Sequence, residues 1–146
     1  MDTKESAKKA WLTTLLLVLS VGILFTYQSC SHKEIDVNAQ LQELLEADTL
    51  HLSAIDVGHA WDTLWVLKPY DGVDQLPLQM KQADRKAVAH LALSDGQCTL
   101  LFAHRGELVG YAAVSRRLLD FGPLCLGRYA RLTPLLLRDG KAYDIE

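Results

Sequence analysis

His51, Ser53, Asp56 and His59 fall within one short stretch of the chain. An imidazole, a hydroxyl and a carboxylate are the groups from which a general base and an activated nucleophile are built. The stretch is therefore the candidate site if the protein is a small exported hydrolase. The same residue types also make up an ordinary solvated connection, and a catalytic set is recognised by its geometry, not by closeness in sequence. No glycine-rich phosphate loop, Cys-x-x-Cys pair or His-Glu-x-x-His sequence occurs in the 146 residues. The reading favoured is noncatalytic, with no catalytic residue, cofactor or metal ligand assigned.

Cys98, His104 and His90 are the other groups with ligand chemistry. On an extended strand, six residues at roughly 3.3 Å each separate Cys98 from His104 by about 20 Å. Metal–ligand bonds of about 2 to 2.3 Å then exclude joint ligation of one ion by those two. Cys30, Cys98 and Cys125 make an odd total. In an exported domain with Cys30 modified or next to a membrane, Cys98 and Cys125 remain as an even pair and form a disulfide candidate. The alternative is two thiols behaving as small apolar side chains.

Which compartment holds these groups depends on the N-terminus. Residues 1–10 carry three lysines and two acids, and residues 11–27, WLTTLLLVLSVGILFTY, carry no charge. As a helix of about 1.5 Å per residue, that run reaches about 25 Å against a hydrocarbon core of about 30 Å. It is also longer than the usual signal-peptide core. The lysines precede the apolar run, so the positive-inside rule keeps the N-terminus in the cytoplasm and places the remainder outside the cytoplasmic membrane. Cys30 is a lipidation candidate: Ser29 suits the position before a lipidated cysteine, whereas Tyr27 and Gln28 do not suit theirs. Three outcomes stand open, namely an uncleaved anchor, a lipoprotein and a secreted form. The expected organisation is a cytoplasmic segment at 1–10, a transmembrane or signal segment at 11–28, a linker at 29–36 and an exported domain at 37–146.

The formal charge of -3 excludes the basic character of a dedicated nucleic-acid binder. Beyond residue 30 the charge is uneven. Residues 31–75 carry 2 basic and 9 acidic side chains, and residues 76–146 carry 10 basic and 7 acidic. Either the two halves lie together and neutralise each other, or Arg105, Arg116, Arg117, Arg128 and Arg131 form a basic surface for anionic headgroups or an acidic partner.

The elements that must position these groups follow from periodicity. Asp36 is a helix cap, and Val37, Leu41, Leu44 and Leu45 make one apolar stripe, giving a helix over 37–47. Thr49 to Leu52 is read as extended. WDTLWVLKPYDG is an interior strand, with Trp61, Thr63, Trp65 and Leu67 on one face, ended by Pro69 and a turn at Asp71-Gly72. Residues 73–84 are read as a short helix plus loop. Lys86 to Leu93 is read as a strand, since Ala87, Ala89, Leu91 and Leu93 alternate. QCTLLFAHRGELVGYAAV is a hairpin closed by Arg105-Gly106, so that Phe102 opposes Val109, Leu100 opposes Tyr111 and Cys98 opposes Ala113. Gly110 leaves room for a chain segment to cross. Leu132 to Arg138, interrupted by Pro134, is read as an edge strand, and Asp139-Gly140 as a turn.

The whole is α+β: the N-terminal transmembrane or signal helix, then one helix packed on a mostly antiparallel sheet of about four to five strands. Its order of anchor, helix, aromatic strand from Trp61 to Tyr70, Asp95-Gly96, Leu100 to Phe102, Arg116 and Asp120-Phe121 resembles small bacterial exported and lipoprotein-like α+β proteins. The resemblance covers residues 37–125. It implies a domain outside the cytoplasmic membrane and brings no activity with it. The function expected is a noncatalytic, membrane-tethered envelope module whose partners are the membrane, through residues 11–27, and another envelope protein.

Overall fold

The computed structural model describes residues 31–125 and 127–145, and those from His32 onward belong to one compact unit. Among the described residues there are two α-helices, α1 (Asn38–Leu44) and α2 (Gln82–Leu91). There are also seven strands: β1 (Thr49–His51), β2 (Thr63–Leu67), β3 (Gln97–His104), β4 (Glu107–Ser115), β5 (Arg128–Ala130), β6 (Pro134–Arg138) and β7 (Lys141–Asp144). The strands form two antiparallel sheets, ordered β4-β3-β2-β5 and β1-β6-β7. The α+β class agrees with the sequence reading, but two sheets and two helices replace the single sheet and single helix. No helix among the described residues is long and apolar enough to cross a membrane. The segment at 11–28 and Cys30 lie outside the described residues.

Helix α1 is shorter than the expected 37–47, running from Asn38 to Leu44 with Val37 rather than Asp36 at its N-cap. Asp36 Oδ1 accepts the Asn38 amide at 3.0 Å, which satisfies an orphan donor of the first turn. Val37 and Leu41 are wholly buried, while Gln42, Glu43 and Glu46 stay exposed. Strand β2 is interior, paired with β3 on one side and β5 on the other. Leu64 and Val66 enter one core, and Leu67 and Trp65 the other. Trp61 departs from the alternation. It precedes β2 and turns into the first core, its ring 5.1 Å from that of Phe102, edge to face.

The β3–β4 hairpin corrects the expected register. Arg105 and Gly106 do form the two-residue loop, with φ of 52° and 82°, the left-handed pair that matches strand twist. His104 opposes Glu107 and Ala103 opposes Leu108. There the pairing shifts, because Val109 is an extra residue on β4. Phe102 then opposes Gly110, Leu101 opposes Tyr111, Leu100 opposes Ala112 and Cys98 opposes Val114. A one-residue bulge exchanges the two faces of every later residue on its strand. Ala112 and Val114 therefore join Cys98, Leu100 and Phe102 in the first core, and Tyr111 joins Leu101 in the second. The bulge also sets Gly110 under Ile35, whose Cδ1 occupies the space a side chain at 110 needs.

Residues 86–93 are not a strand. They fall mostly in α2, where Asp84 and Val88, one helical turn apart, are both fully buried. The alternation of Ala87, Ala89, Leu91 and Leu93 was coincidental: Ala89 and Leu93 are exposed. Period 3.6, anchored by Asp84 and Val88, overrides it because a helix buries that pair on one side. Strand β6 is likewise not an edge, being paired with β1 and with β7. Pro134 is its first residue, opposite His51, where a missing donor is tolerated. Asp139 and Gly140, with φ of 51° and 69°, make a second tight loop leading into β7, a strand the sequence reading did not contain.

The four-stranded sheet is the middle layer. On one face Leu64, Leu100 and Phe102 pack with Leu41 of α1, Leu50 of β1, Leu135 of β6 and Ala142 of β7. On the other, Leu67, Leu101 and Tyr111 pack with Val88 of α2 and with Val73 and Leu78 of the loop before it. The stretch read as linker, 29–36, contributes from His32 onward: the Ile35 amide donates to the Tyr111 carbonyl at 2.8 Å, and Glu34 bridges to Tyr111 beside β4.

Candidate functional site

The stretch on which the hydrolase alternative rests is spread over a strand end, a turn and a loop. His51 ends β1 and is exposed, Ser53 sits in a 3-10 turn at 52–54, and His59 is exposed beyond Gly58. Asp56 is engaged locally: its amide and carbonyl bond the Gln40 side chain, both at 2.9 Å, and its Oδ1 accepts the Gly58 amide at 2.8 Å. Among the described residues no hydrogen bond joins any two of His51, Ser53, Asp56 and His59.

Strand β3 carries Cys98 and His104 near its opposite ends, and His90 is exposed on the last turn of α2. No cluster of three His, Cys, Asp or Glu side chains suited to a metal occurs among the described residues. Cys98 and Cys125 are both free thiols, the first buried and the second exposed. Cys98 Sγ lies 3.9 Å from Asp120 Oδ1, and burial pushes its thiol up. The Cys125 amide donates to Asp144 Oδ2 at 2.8 Å.

The arginines divide into two groups. Arg116 forms a bidentate pair with Asp120, Nε to Oδ1 at 2.9 Å and Nη2 to Oδ2 at 3.0 Å. Chiefly this bond holds the Asp120 carboxyl below the usual range. Arg105, Arg128 and Arg131 instead surround the start of β2. Arg128 Cζ stands 5.6 Å from the centre of the Trp65 ring, and Arg131 Cζ stands 5.4 Å from that of Trp61. All three arginines are exposed. The Arg105 amide donates to Asp62 Oδ2 at 2.7 Å and the Arg131 amide to the Asp62 carbonyl at 2.9 Å. The Arg105 bond, then one from Thr63, holds Asp62 below the usual carboxylate range. His104 Nδ1 lies 3.2 Å from Asp62 Oδ2, but the bond direction misses that oxygen, so the contact is electrostatic and Nδ1 makes no hydrogen bond. Asp62, Trp65, Arg105 and Arg128 line one cleft of about 360 Å3.

A guanidinium laid on an indole is attracted by the ring's negative face and keeps its outward N–H groups available for a carboxylate. Lone surface arginines sample many rotamers, and ordering them costs entropy on binding. Stacking on Trp65 and Trp61 lowers that cost. The sequence reading named these arginines and these tryptophans separately; what it missed is their pairing, which needed the register of β2 with β5, where Trp65 opposes Arg128.

A further constellation was not anticipated at all. Asp84 is completely buried and accepts the His32 amide at 2.7 Å and faces His32 Nδ1 at 2.9 Å. The Tyr111 hydroxyl donates to the His32 carbonyl at 3.2 Å. Burial first, then the charges of Asp84 and Glu34, push the Tyr111 phenol up, so it keeps the proton it donates. His32 lines a groove of about 490 Å3 together with Lys81 and Glu107, in which no hydroxyl or thiol side chain stands as a nucleophile. The three contacts fix the backbone of residue 32 to α2 and β4.

No family model matches the chain, and neither a curated protein nor a solved structure matches it significantly.

Proposed function

We propose that the chain is a noncatalytic, membrane-tethered module of the bacterial envelope, held in the cytoplasmic membrane by residues 11–27 with its N-terminus in the cytoplasm, and that its extracytoplasmic domain binds an acidic protein partner. The observation that carries this reading is the pair of stacked guanidiniums, Arg128 on Trp65 and Arg131 on Trp61. Arg128 shares a cleft with Arg105, Arg131 stands over the indole that turns into the first core, and all three arginines are exposed. Electrostatic complementarity of this kind sets encounter rate and orientation, and tethering confines the search to the membrane plane. The hydrolase alternative loses support because His51, Ser53, Asp56 and His59 share no hydrogen bond among the described residues.

The test is capture of partners by tagged full-length protein from a detergent extract of its own cells. An Arg128→Glu, Arg131→Glu double variant is expected to lose the stoichiometric partner, and a His51→Ala, His59→Ala double variant to keep it. Equal capture by the charge-reversed protein overturns the acidic-partner reading. Loss of biological activity in the histidine variant with partner capture intact returns the enzyme reading to first place.

A further inference from the structure

Among the described residues strand β5 is the outer strand of its sheet, paired with β2 alone. The Val66 amide donates to the Gly127 carbonyl and the Arg131 amide to the Asp62 carbonyl, each at 2.9 Å. In an antiparallel ladder, bonded and non-bonded pairs alternate. With bonds at 66/127 and 62/131, the Leu64–Tyr129 rung is bonded, and Arg128 and Ala130 turn their backbone groups away from β2. The Ala130 carbonyl accepts the Thr133 amide at 2.9 Å. Left over, among the described residues, are the Arg128 amide, the Arg128 carbonyl and the Ala130 amide.

Native sheets cover or shorten such edges because they template pairing with another chain. The opposite edge, on β4, is covered in this way: Glu34 bridges to Tyr111 and Gln79 to Glu107. Among the described residues the three-residue β5 edge has no such bridge. It borders a groove of about 780 Å3 whose lining includes Arg128, Ala130, Pro134, Tyr143 and Ile145, and also Asp144, whose carboxylate is engaged by the Cys125 amide. Donor, acceptor and donor thus run along one wall, apolar rings lie near them, and the exposed Arg128 side chain sits at the rim. An arginine on an open edge repels most strands, since pairing there strands a charge. It admits a strand that brings a carboxylate.

We propose that β5 receives an extended acidic segment of the partner as an added strand, with a carboxylate side chain meeting Arg128 and alternate apolar side chains resting against Pro134 and Tyr143. The inference rests on the acidic-partner reading above and specifies how that partner is held. Anionic lipid headgroups satisfy the arginines equally well, but they have no amide row to match the backbone groups of Arg128 and Ala130. A peptide uses both.

The probe is an end-blocked eight-residue peptide of alternating glutamate and valine, titrated into the full-length chain in detergent micelles. Two further versions are N-methylated, one on every glutamate and one on every valine, which keeps charge and shape while deleting one row of donors. The parent peptide is expected to bind with an affinity that falls with salt. One methylated version is expected to lose at least tenfold while the other binds like the parent, and Arg128→Glu is expected to lose at least tenfold. Amide exchange at Arg128 and Ala130 slows in the complex, and that of Tyr129 does not change. Equal binding by all three peptides overturns strand addition and leaves the acidic-partner reading standing. So does failure of every peptide while partner capture still depends on Arg128. Binding to phosphatidylglycerol vesicles that Arg128→Glu abolishes, with no peptide binding, overturns the inference in favour of a lipid surface.

Discussion

Asp84 holds both the amide and the ring Nδ1 of His32, at 2.7 Å and 2.9 Å, from a position with no solvent exposure. A buried carboxylate without partners is strongly unfavourable, so His32 and Asp84 each require the other. Asp84 lies in the first turn of α2, where the positive end of the helix dipole favours a negative charge. Residue 32 is thereby fixed to the domain by its amide, its ring and its carbonyl, the last through Tyr111. The compact unit that starts at His32 is therefore tied to α2 and β4 at its first residue.

Replacing Asp84 by alanine leaves the His32 amide without its acceptor in a part-buried setting. The expected loss is about 1 to 3 kcal/mol of unfolding free energy, the usual cost of stranding a buried hydrogen-bonding group. Urea unfolding of the wild type and Asp84→Ala measures it. Amide exchange at Ile35, which bonds the Tyr111 carbonyl, should quicken in the same variant. Unchanged urea midpoints and unchanged exchange at Ile35 count against the tie.

Gly110 is where the segment after His32 crosses β4. A methyl group at 110 meets Ile35 Cδ1 in a clash, while Ile35 Cγ1 stands off at 3.5 Å. Only the tip of one flexible side chain must yield, so Gly110→Ala is expected to cost about 1 kcal/mol, the lower end for overpacking. Ile35→Val removes the clashing methyl, and the double variant should recover most of that loss. A double-mutant cycle on thermal or urea unfolding reads the coupling. Additive costs place Ile35 elsewhere.

Much of this framework was legible in the residues. Arg105-Gly106 declared the hairpin loop, Asp36 marked the start of α1 to within one residue, and the room left by Gly110 is filled by a crossing segment. What failed did so for tertiary reasons. The Val109 bulge has no local signal: Leu108 and Tyr111 serve one core, while Val109 packs against the other, and only the presence of two cores makes that arrangement favourable. Ala87 to Leu93 alternated like a strand because alanine satisfies either period, and the buried Asp84 that anchors the helix fell in the stretch read as a short helix plus loop. The Arg128–Trp65 stack depends on a pairing between strands 63 residues apart in sequence, and no pattern within either strand announces it.

Asp120 predicts a specific acid response. Its carboxyl is held low by Arg116 first, with help from the Gly122 amide, against the opposing effect of burial. A folded-state value below the unfolded one means the group stabilises the fold when ionised. That contribution is complete above the unfolded carboxylate range, near about pH 4, and disappears as pH falls through the lower folded value. The stability gap between wild type and Asp120→Asn should therefore be largest near neutrality, on the order of 1.5 to 3 kcal/mol for charge-assisted bonds, and shrink as the pH falls below the ordinary carboxylate range. Urea unfolding at a series of pH values gives the curve, and a gap independent of pH removes the ion pair from the account.

The two cysteines should differ sharply in reactivity. Alkylation and disulfide exchange require the thiolate and access to it. Cys98 is buried and its thiol is pushed up, mainly by that burial and further by the charge of Asp120, against smaller opposing effects. Cys125 is exposed. In a Cys30→Ser protein, one thiol is expected to react with a colorimetric disulfide reagent within the mixing time of an ordinary assay, and the second only as fast as the domain unfolds. Urea should merge the two phases, and Cys125→Ser should delete the fast one alone. The same assay on protein prepared from an oxidising compartment examines the Cys98–Cys125 pairing directly. No thiol before reduction and two after it mean that the bridge forms there, and that the loop from Asp120 to Cys125 takes a different course from the one in which Cys98 lies beside Asp120 and Cys125 beside Asp144.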